Sequence, residues 1–187
     1  MSFNYLFKSA YKKIVILFIS LFFFTQAYAI ELDMENQNQA LEDLSIIFYS
    51  DRENPLPQQN KIDPKKMNFS VESLKHVESY LDHIRSQDFN QLDADQQFRL
   101  ILRTGAYVGE TLRKNDKTTT WYWVDFETAQ QINPQLFGQL NPSVETAAML
   151  TDGQKFTLPL NKVSKYLRNG AEDSVAFYVK SSLQLAE

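Results

Sequence analysis

The stretch Gly105-Ala106-Tyr107-Val108-Gly109-Glu110 decides the fold, because it places two glycines inside a segment whose other residues favour a helix. Each glycine costs a helix about 1 kcal/mol relative to alanine, so a close contact is expected to compensate. Residues four apart lie on the same helix face. Gly105 and Gly109 therefore predict a groove through which another backbone approaches this helix closely. The apolar residues on the same face are Phe98, Ile101, Leu102 and Leu112.

Capping signals mark the ends of this helix and of the helix before it. Asp93 and Gln96 have the spacing of a capping box, and the helix that they begin is expected to run to about Lys114. Ser70 is the predicted N-cap of the preceding helix, which ends at about Arg85. Apolar residues form one stripe along that earlier helix. They are Val71, Leu74, Val77, Leu81 and Ile84.

A run of β-branched and aromatic residues from Thr119 to Phe126 predicts a strand. Trp121 and Trp123 lie on one face of this strand. The other face carries Tyr122, Val124 and Phe126. Because both faces are apolar, we expect a central strand of a small sheet.

A hairpin is predicted after this strand. Asp152-Gly153 favours a tight turn, since these residues tolerate a positive φ. The strands expected on either side are Thr146 to Leu150 and Lys155 to Leu158. The region from Pro134 to Pro142 is expected to be a loop or an irregular helix.

Two short helices are expected at the end of the chain. Asn161 is the predicted N-cap of the first, and Asn169-Gly170 is its predicted stop. Asp173 or Ser174 begins the second. A strand is the alternative for this last element, because apolar residues also alternate at Val175, Phe177 and Val179.

These elements predict an α+β fold for a single domain spanning residues 70–187. It has two or three N-terminal helices, a small antiparallel sheet of about three strands and a helical C-terminus. Residues 30–69 are rich in Asn, Gln, acidic residues and proline, and they are interpreted as a polar tether.

One short amphipathic helix is expected within the tether, near Gln39 to Tyr49. Two interpretations of its apolar stripe remain open: it packs back on the domain, or it is presented to a partner protein as a helix in a groove. The residues of the stripe, which are candidate binding residues, are Leu41, Leu44, Ile47 and Phe48.

The first 29 residues have the three-part pattern of a secretory signal peptide. A basic start is followed by an apolar run from Ile14 to Phe24 and by the small-residue end Ala27-Tyr28-Ala29. The apolar run is shorter than the roughly 20 residues that a membrane-spanning helix needs. We therefore expect cleavage after Ala29 and a periplasmic or secreted protein, with an uncleaved N-terminal anchor as the alternative. The lysines of the basic start are Lys8, Lys12 and Lys13.

Composition excludes several classes of function. The chain has no cysteine, so no disulfide, thiolate nucleophile or lipid-modified cysteine is available. Removal of residues 1–29 takes away three lysines and leaves 16 basic against 23 acidic residues, a net charge of −7. Phosphate backbones repel such a surface, so nucleic acid is not expected as a partner.

Glu110 and Asp125 are the candidate catalytic residues, both of them weak. A buried Glu110 can act as a general base, and Asp125 is a possible second carboxylate for glycoside chemistry on envelope polysaccharide such as peptidoglycan. Trp121 and Trp123 are candidate binding residues that can stack on sugars. The structural interpretation is an ion pair of Glu110 with Arg113 or Lys114, with both tryptophans in the core.

Histidine and glycine patterns indicate no metal, cofactor or nucleotide. His76 and His83 lie two helical turns apart, about 10.5 Å along the axis, which is too far for both to bind one ion. No Gly-rich phosphate loop and no Gly-x-Ser-x-Gly elbow is present. A serine hydrolase and a nucleotide-binding protein are therefore not expected.

Several short motifs follow one another between Phe98 and Tyr178. They are Gly105-x-x-x-Gly109-Glu110, Trp121 to Val124, the hairpin, Leu158-Pro159-Leu160 with Lys162-Val163, and Asn169-Gly170-Ala171-Glu172-Asp173. This order resembles a group of small uncharacterised bacterial domains. The resemblance implies a glycine-bearing helix, a tryptophan strand, a hairpin and a Pro-x-x-x-Val helix that ends at glycine. It implies no activity.

The expected function is that of a non-enzymatic domain that binds another envelope or secreted protein. An enzyme or binding protein acting on envelope polysaccharide is the alternative. No cofactor is expected in either case.

Overall fold

The computed structural model describes residues 33–87 and 89–184. The predicted signal segment and its cleavage site lie outside these residues. Within the described ranges, no helix combines the length and the apolar character needed to cross a membrane.

The described residues form helices and one small antiparallel sheet, which confirms the predicted α+β class. The helices are α1 at residues 33–50, α2 Leu74–Ser86, α3 Ala94–Asn115, α4 Phe126–Ile132, α5 Pro134–Phe137, α6 Pro159–Asn169 and α7 Val175–Gln184. The strands are β1 Tyr122–Val124, β2 Met149–Thr151 and β3 Phe156–Thr157. Single 3-10 turns form at Gln59–Lys61, Pro64–Lys66, Val71–Ser73, Phe89–Gln91, Val144–Thr146 and Gly170–Asp173.

Helix α3 is the centre of the fold. The capping box predicted at its start is present, since the side chains of Asp93 and Gln96 each accept the other residue's backbone N–H. Every residue from 103 to 112 is buried, and α6 and α7 both pack against the helix. The other elements are therefore arranged around α3.

The glycine groove is confirmed. A Cβ at Gly105 would lie 2.7 Å from Leu160 Cδ1 and 2.9 Å from the Leu160 Cα. A Cβ at Gly109 would lie 2.3 Å from two ring atoms of Trp123 and 3.0 Å from Pro159 Cγ. The first turn of α6 and the indole of Trp123 fill the groove. A side chain at Gly105 or Gly109 would clash with them.

The sheet is antiparallel with the order β1-β2-β3, so the prediction of a central first strand is wrong. Strand β1 is an edge strand, and β2 is central. Phe126 begins α4 rather than extending β1, because the carboxylate of Asp125 accepts the backbone N–H of Thr128 at 2.7 Å and caps that helix. The hairpin is confirmed, with Gly153 at φ 90° in its turn.

The sheet separates two apolar clusters. Trp123 and Leu150 point into the main core, which includes the buried faces of α2, α3, α6 and α7. Val124 and Met149 point to the opposite side, where Phe126, Ala129 and Phe137 of α4 and α5 complete a smaller core.

Part of the predicted tether, within residues 33–67, packs against the main core. Leu41 and Phe48 of α1 are buried, as are three residues of the loop that follows, and all five belong to the same cluster as the residues of α3. The loop residues are Leu56, Ile62 and Met67. The prolines break long helices, but burial of the apolar residues between them still stabilises the fold.

The C-terminal helices agree with the prediction except at one end. Helix α6 begins at Pro159, not after Asn161, because proline favours the first helical turn; the Asn161 side chain instead donates to Glu145 at 2.6 Å. Gly170, at φ 75°, ends α6 as expected. Helix α7 starts after Ser174, whose side chain accepts the N–H of Phe177, so the helical alternative is confirmed.

Candidate functional site

Glu110 is a fully buried carboxylate in the middle of the fold. Its Oε1 accepts a hydrogen bond from Trp123 Nε1 at 2.8 Å and one from Arg113 Nε at 2.7 Å. Its Oε2 lies 3.4 Å from Lys114 Nζ but accepts no hydrogen bond from the described residues. The side chain is therefore held by two cations, as the structural interpretation predicted, and by an indole that it did not predict.

Glu42 of α1 extends this network to a second helix. Lys114 Nζ donates to Glu42 Oε1 at 2.6 Å, and Arg113 lies 3.5 Å from Glu42 Oε2. Burial lowers the pKa of Lys114, but the hydrogen bond to Glu42 and the charges of Glu110 and Glu42 outweigh burial and raise it. Two carboxylates and two cations thus join α1 to α3.

Both candidate tryptophans are buried and hydrogen-bonded to carboxylates. Trp123 donates to Glu110, and Trp121 Nε1 donates to Asp116 Oδ2 at 2.8 Å. Trp121 is 8% exposed and Trp123 is fully buried. A sugar-stacking platform needs an open aromatic face, which neither ring offers in this conformation.

Asp116→Asn is expected to reduce stability at neutral pH and to have little effect in acid. Burial raises the pKa of Asp116, but hydrogen bonds from Trp121 and from the amides of Thr118 and Thr119 outweigh burial and lower the pKa from 3.8 to about 2. Because the folded-state pKa is depressed, this stabilisation is complete well above pH 3.8 and is lost as the pH falls towards 2. Urea unfolding of both proteins between about pH 7 and pH 3 measures the difference. If the difference in the free energy of unfolding did not shrink below about pH 4, the stabilisation would not come from the charge of Asp116.

Asp125 and Glu110 do not form an accessible acid pair. Asp125 caps α4 through the Thr128 amide, and Glu110 has no exposed surface. A carboxylate that acts on a polysaccharide must reach the glycosidic oxygen or a water beside the sugar. The contacts that both residues make are therefore ones that stabilise the fold.

The two histidines also lie apart from any ligand cluster. Both are on α2, where His76 is exposed and His83 Nε2 contacts Gln87 Nε2 at 3.2 Å. Among residues 33–87 and 89–184, no group of three or more His, Asp or Glu side chains is placed to hold a metal ion.

The candidate binding stripe of α1 faces the core. Leu41 and Phe48 are buried, whereas Leu44 and Ile47 are half-buried. The Phe48 ring packs against Tyr80 and Tyr107, with centroids 5.8 and 5.4 Å away. Packing on the domain is thus the arrangement that the structure shows, and binding of a partner by this stripe stays a prediction.

A shallow cleft of about 460 Å³ lies beside the end of α1. Its lining includes Tyr49, Asp51, Arg52, Gln59 and Ile62. Asp51 is ion-paired with Arg103 at 3.1 Å and also accepts the amides of Glu53 and Asn54. The cleft therefore offers no free carboxylate for catalysis.

The most distinctive exposed surface was not recognised from the sequence. Residues 128–144 contain no Asp, Glu, Lys, Arg or His, although 22% of the chain is charged. Within them, all of residues 134–143 except Phe137 are exposed, including Leu136 at 53% and Leu140 at 46%. We call residues 134–143 the neutral loop. The absence of charge was visible in the sequence, but exposure of the leucines was not.

Comparison of the chain with protein-family models, with curated proteins and with solved structures finds no match. The resemblance to small uncharacterised bacterial domains stays a prediction.

Proposed function

We propose that this protein is an exported, non-enzymatic module that binds another envelope or secreted protein through the neutral loop. The exposure of Leu136 and Leu140 within a segment of the chain that has no charged residue carries this proposal. The cores of protein interfaces are depleted in charged residues, because each buried charge must be desolvated. The neutral loop has this composition, on a chain that is otherwise acidic.

The contacts of the neutral loop support a preformed binding surface. Phe137 is buried, and its ring packs against Phe126 and Phe156 with centroids 6.4 and 4.7 Å away. Gln130 Nε2 donates to the Phe137 carbonyl at 3.2 Å. The leucines on either side of Phe137 are thus held outward by a fixed backbone. A preordered surface loses less conformational entropy when a partner binds.

The polysaccharide alternative draws no support from this geometry. Glu110, Trp121 and Trp123 are buried and make structural contacts, and Asp125 caps a helix. The alternative would require a sugar to reach side chains that the fold covers.

A double variant, Leu136→Asp with Leu140→Asp, is expected to fold normally and to lose its partner. Substitutions at exposed positions usually change stability by less than about 0.5 kcal/mol. Two carboxylates at the centre of an interface must be desolvated, which is expected to weaken binding by about tenfold or more. The measurement is affinity capture of tagged protein from cross-linked envelopes of its own host, with quantitative mass spectrometry.

Phe98→Asp is the matched control, because Phe98 is 43% exposed and lies on α3, outside the neutral loop. The wild type and the control are expected to recover the same protein near stoichiometry. Equal recovery by the double variant would overturn the assignment of the surface. Recovery of cell-wall fragments alone by all three would favour the polysaccharide alternative instead.

A further inference from the structure

Helix α1 has two halves that are held to the body in different ways. Ser45 and Phe48 have no exposed surface, so residues 45–50 are anchored in the main core. From residue 33 to residue 42, the only buried side chain is Leu41. We call residues 33–42 the strap.

The strap contacts the body through the apolar side chains of Leu41 and Met34 and through polar groups. Thr128 Oγ1 of α4 donates to Asp33 at 3.1 Å, and the backbone N–H of Trp123 donates to Asn38 Oδ1 at 2.8 Å. The third polar contact is the pair of Glu42 with Lys114. Asn38 thereby covers a donor on the outer edge of β1, which pairs with no further strand of the described residues. The apolar contacts that must be broken to lift the strap are those of Leu41 with the main core and of Met34 with the smaller core, so its local stability is low relative to that of α3, where every residue from 103 to 112 is buried.

Lys114 lies between two carboxylates, which creates two alternative arrangements. In the present one, its ammonium donates to Glu42 at 2.6 Å, and Glu110 Oε2 is left 3.4 Å away without a hydrogen bond. A buried carboxylate oxygen without a donor is costly. If Glu42 withdraws, the ammonium can shift to Glu110 Oε2. The hydrogen bond that Glu110 gains then offsets part of the free energy that is lost when Glu42 leaves Lys114.

We propose that the strap detaches from the body as a unit, turning at residues 43–44, while Lys114 transfers its hydrogen bond from Glu42 to Glu110. Release uncovers the backbone N–H of Trp123 on the outer edge of β1. The charge of Glu42 controls the equilibrium, because Glu42 is the strap's ionic contact with α3. The device is independent of the partner proposed above.

Acid favours the released arrangement. The charged groups that face Glu42 are Lys114 and Arg113 of α3, and Glu110 lies behind them. The hydrogen bond from Lys114 lowers the pKa of Glu42, burial raises it, and the charges of Lys114 and Arg113 lower it further, so that it lies below the ordinary 4.5. A depressed pKa means that the contact is complete above pH 4.5 and is lost as the pH falls below that value.

Glu42→Gln is expected to release the strap at neutral pH. Amide hydrogen exchange, read by mass spectrometry on the full chain at about pH 7, should accelerate about fivefold for residues 33–40 and for Trp123. Exchange across residues 103–112 of α3 should stay at the wild-type rate, because the anchor and the core remain closed.

Glu35→Gln is the matched control. It makes the same chemical change within the strap, at a side chain that is exposed. The control is expected to exchange like the wild type. Unchanged exchange in Glu42→Gln, equal acceleration in the control, or equal acceleration throughout α3 would each overturn the proposal.

Discussion

Replacement of Gly109 by leucine is expected to yield no folded protein. Even the first carbon of the new side chain would lie 2.3 Å from the Trp123 ring and 3.0 Å from Pro159. The ring cannot move aside without breaking its hydrogen bond to Glu110. Overpacking of a core by a few methylenes costs about 1–3 kcal/mol, and a whole leucine against a fixed indole exceeds that. Circular dichroism and thermal unfolding of the purified variant test the expectation.

Gly109→Ala separates packing from helix propensity. Alanine in place of an interior glycine favours an isolated helix by about 1 kcal/mol. The contact with Trp123 predicts the opposite sign, a net loss of about 1–3 kcal/mol in the free energy of unfolding. A stabilised Gly109→Ala protein would show that Trp123 does not pack against this glycine.

Glu110→Ala is expected to cost about 1–3 kcal/mol of stability, which is the usual effect of leaving a buried hydrogen-bond donor without an acceptor. The indole N–H of Trp123 and the guanidinium of Arg113 would both lose their acceptor in the core. Urea unfolding monitored by tryptophan fluorescence gives the change directly, because one of the two tryptophans contacts Glu110.

Glu110→Gln distinguishes loss of charge from loss of the acceptor. The amide oxygen can still accept from Trp123 and Arg113, so this variant is expected to retain more stability than Glu110→Ala. Glu127→Ala provides the control at an exposed carboxylate, where the change should be within about 0.5 kcal/mol. If Glu110→Ala were as stable as that control, the buried network would not contribute to the fold.

The central position predicted for β1 was wrong because strand pairing depends on distant residues. Its aromatic and β-branched residues indicated a strand, but the order of the sheet is set by pairing with Met149–Thr151, which lie far along the chain. The end of β1 was a local error. Aspartate is a residue type that often caps helices, but Asp125 was interpreted as a catalytic candidate and not as the N-cap of α4.

The candidate site depended even more on long-range contacts. Arg113 and Lys114 were recognised as partners of Glu110 because three or four residues separate them on one helix. Trp123 and Glu42 were not, since they reach Glu110 and Lys114 from β1 and α1. The absence of charge in the neutral loop was visible in the sequence. The exposure of its leucines was not, because it depends on the burial of Phe137 in the smaller core.

The sequence by itself determined helices α1, α2, α3, α6 and α7, several of their ends and the need for a close approach at Gly105 and Gly109. These features depend on hydrogen bonds and side-chain spacing among residues that are close in sequence. They can therefore be read from a short segment of the chain. The tertiary structure alone decided that Leu160 and Trp123 fill the groove, that β1 lies at the edge and that α1 covers it. Those contacts join residues far apart in the chain, and only the burial of the whole core selects among the ways of pairing them.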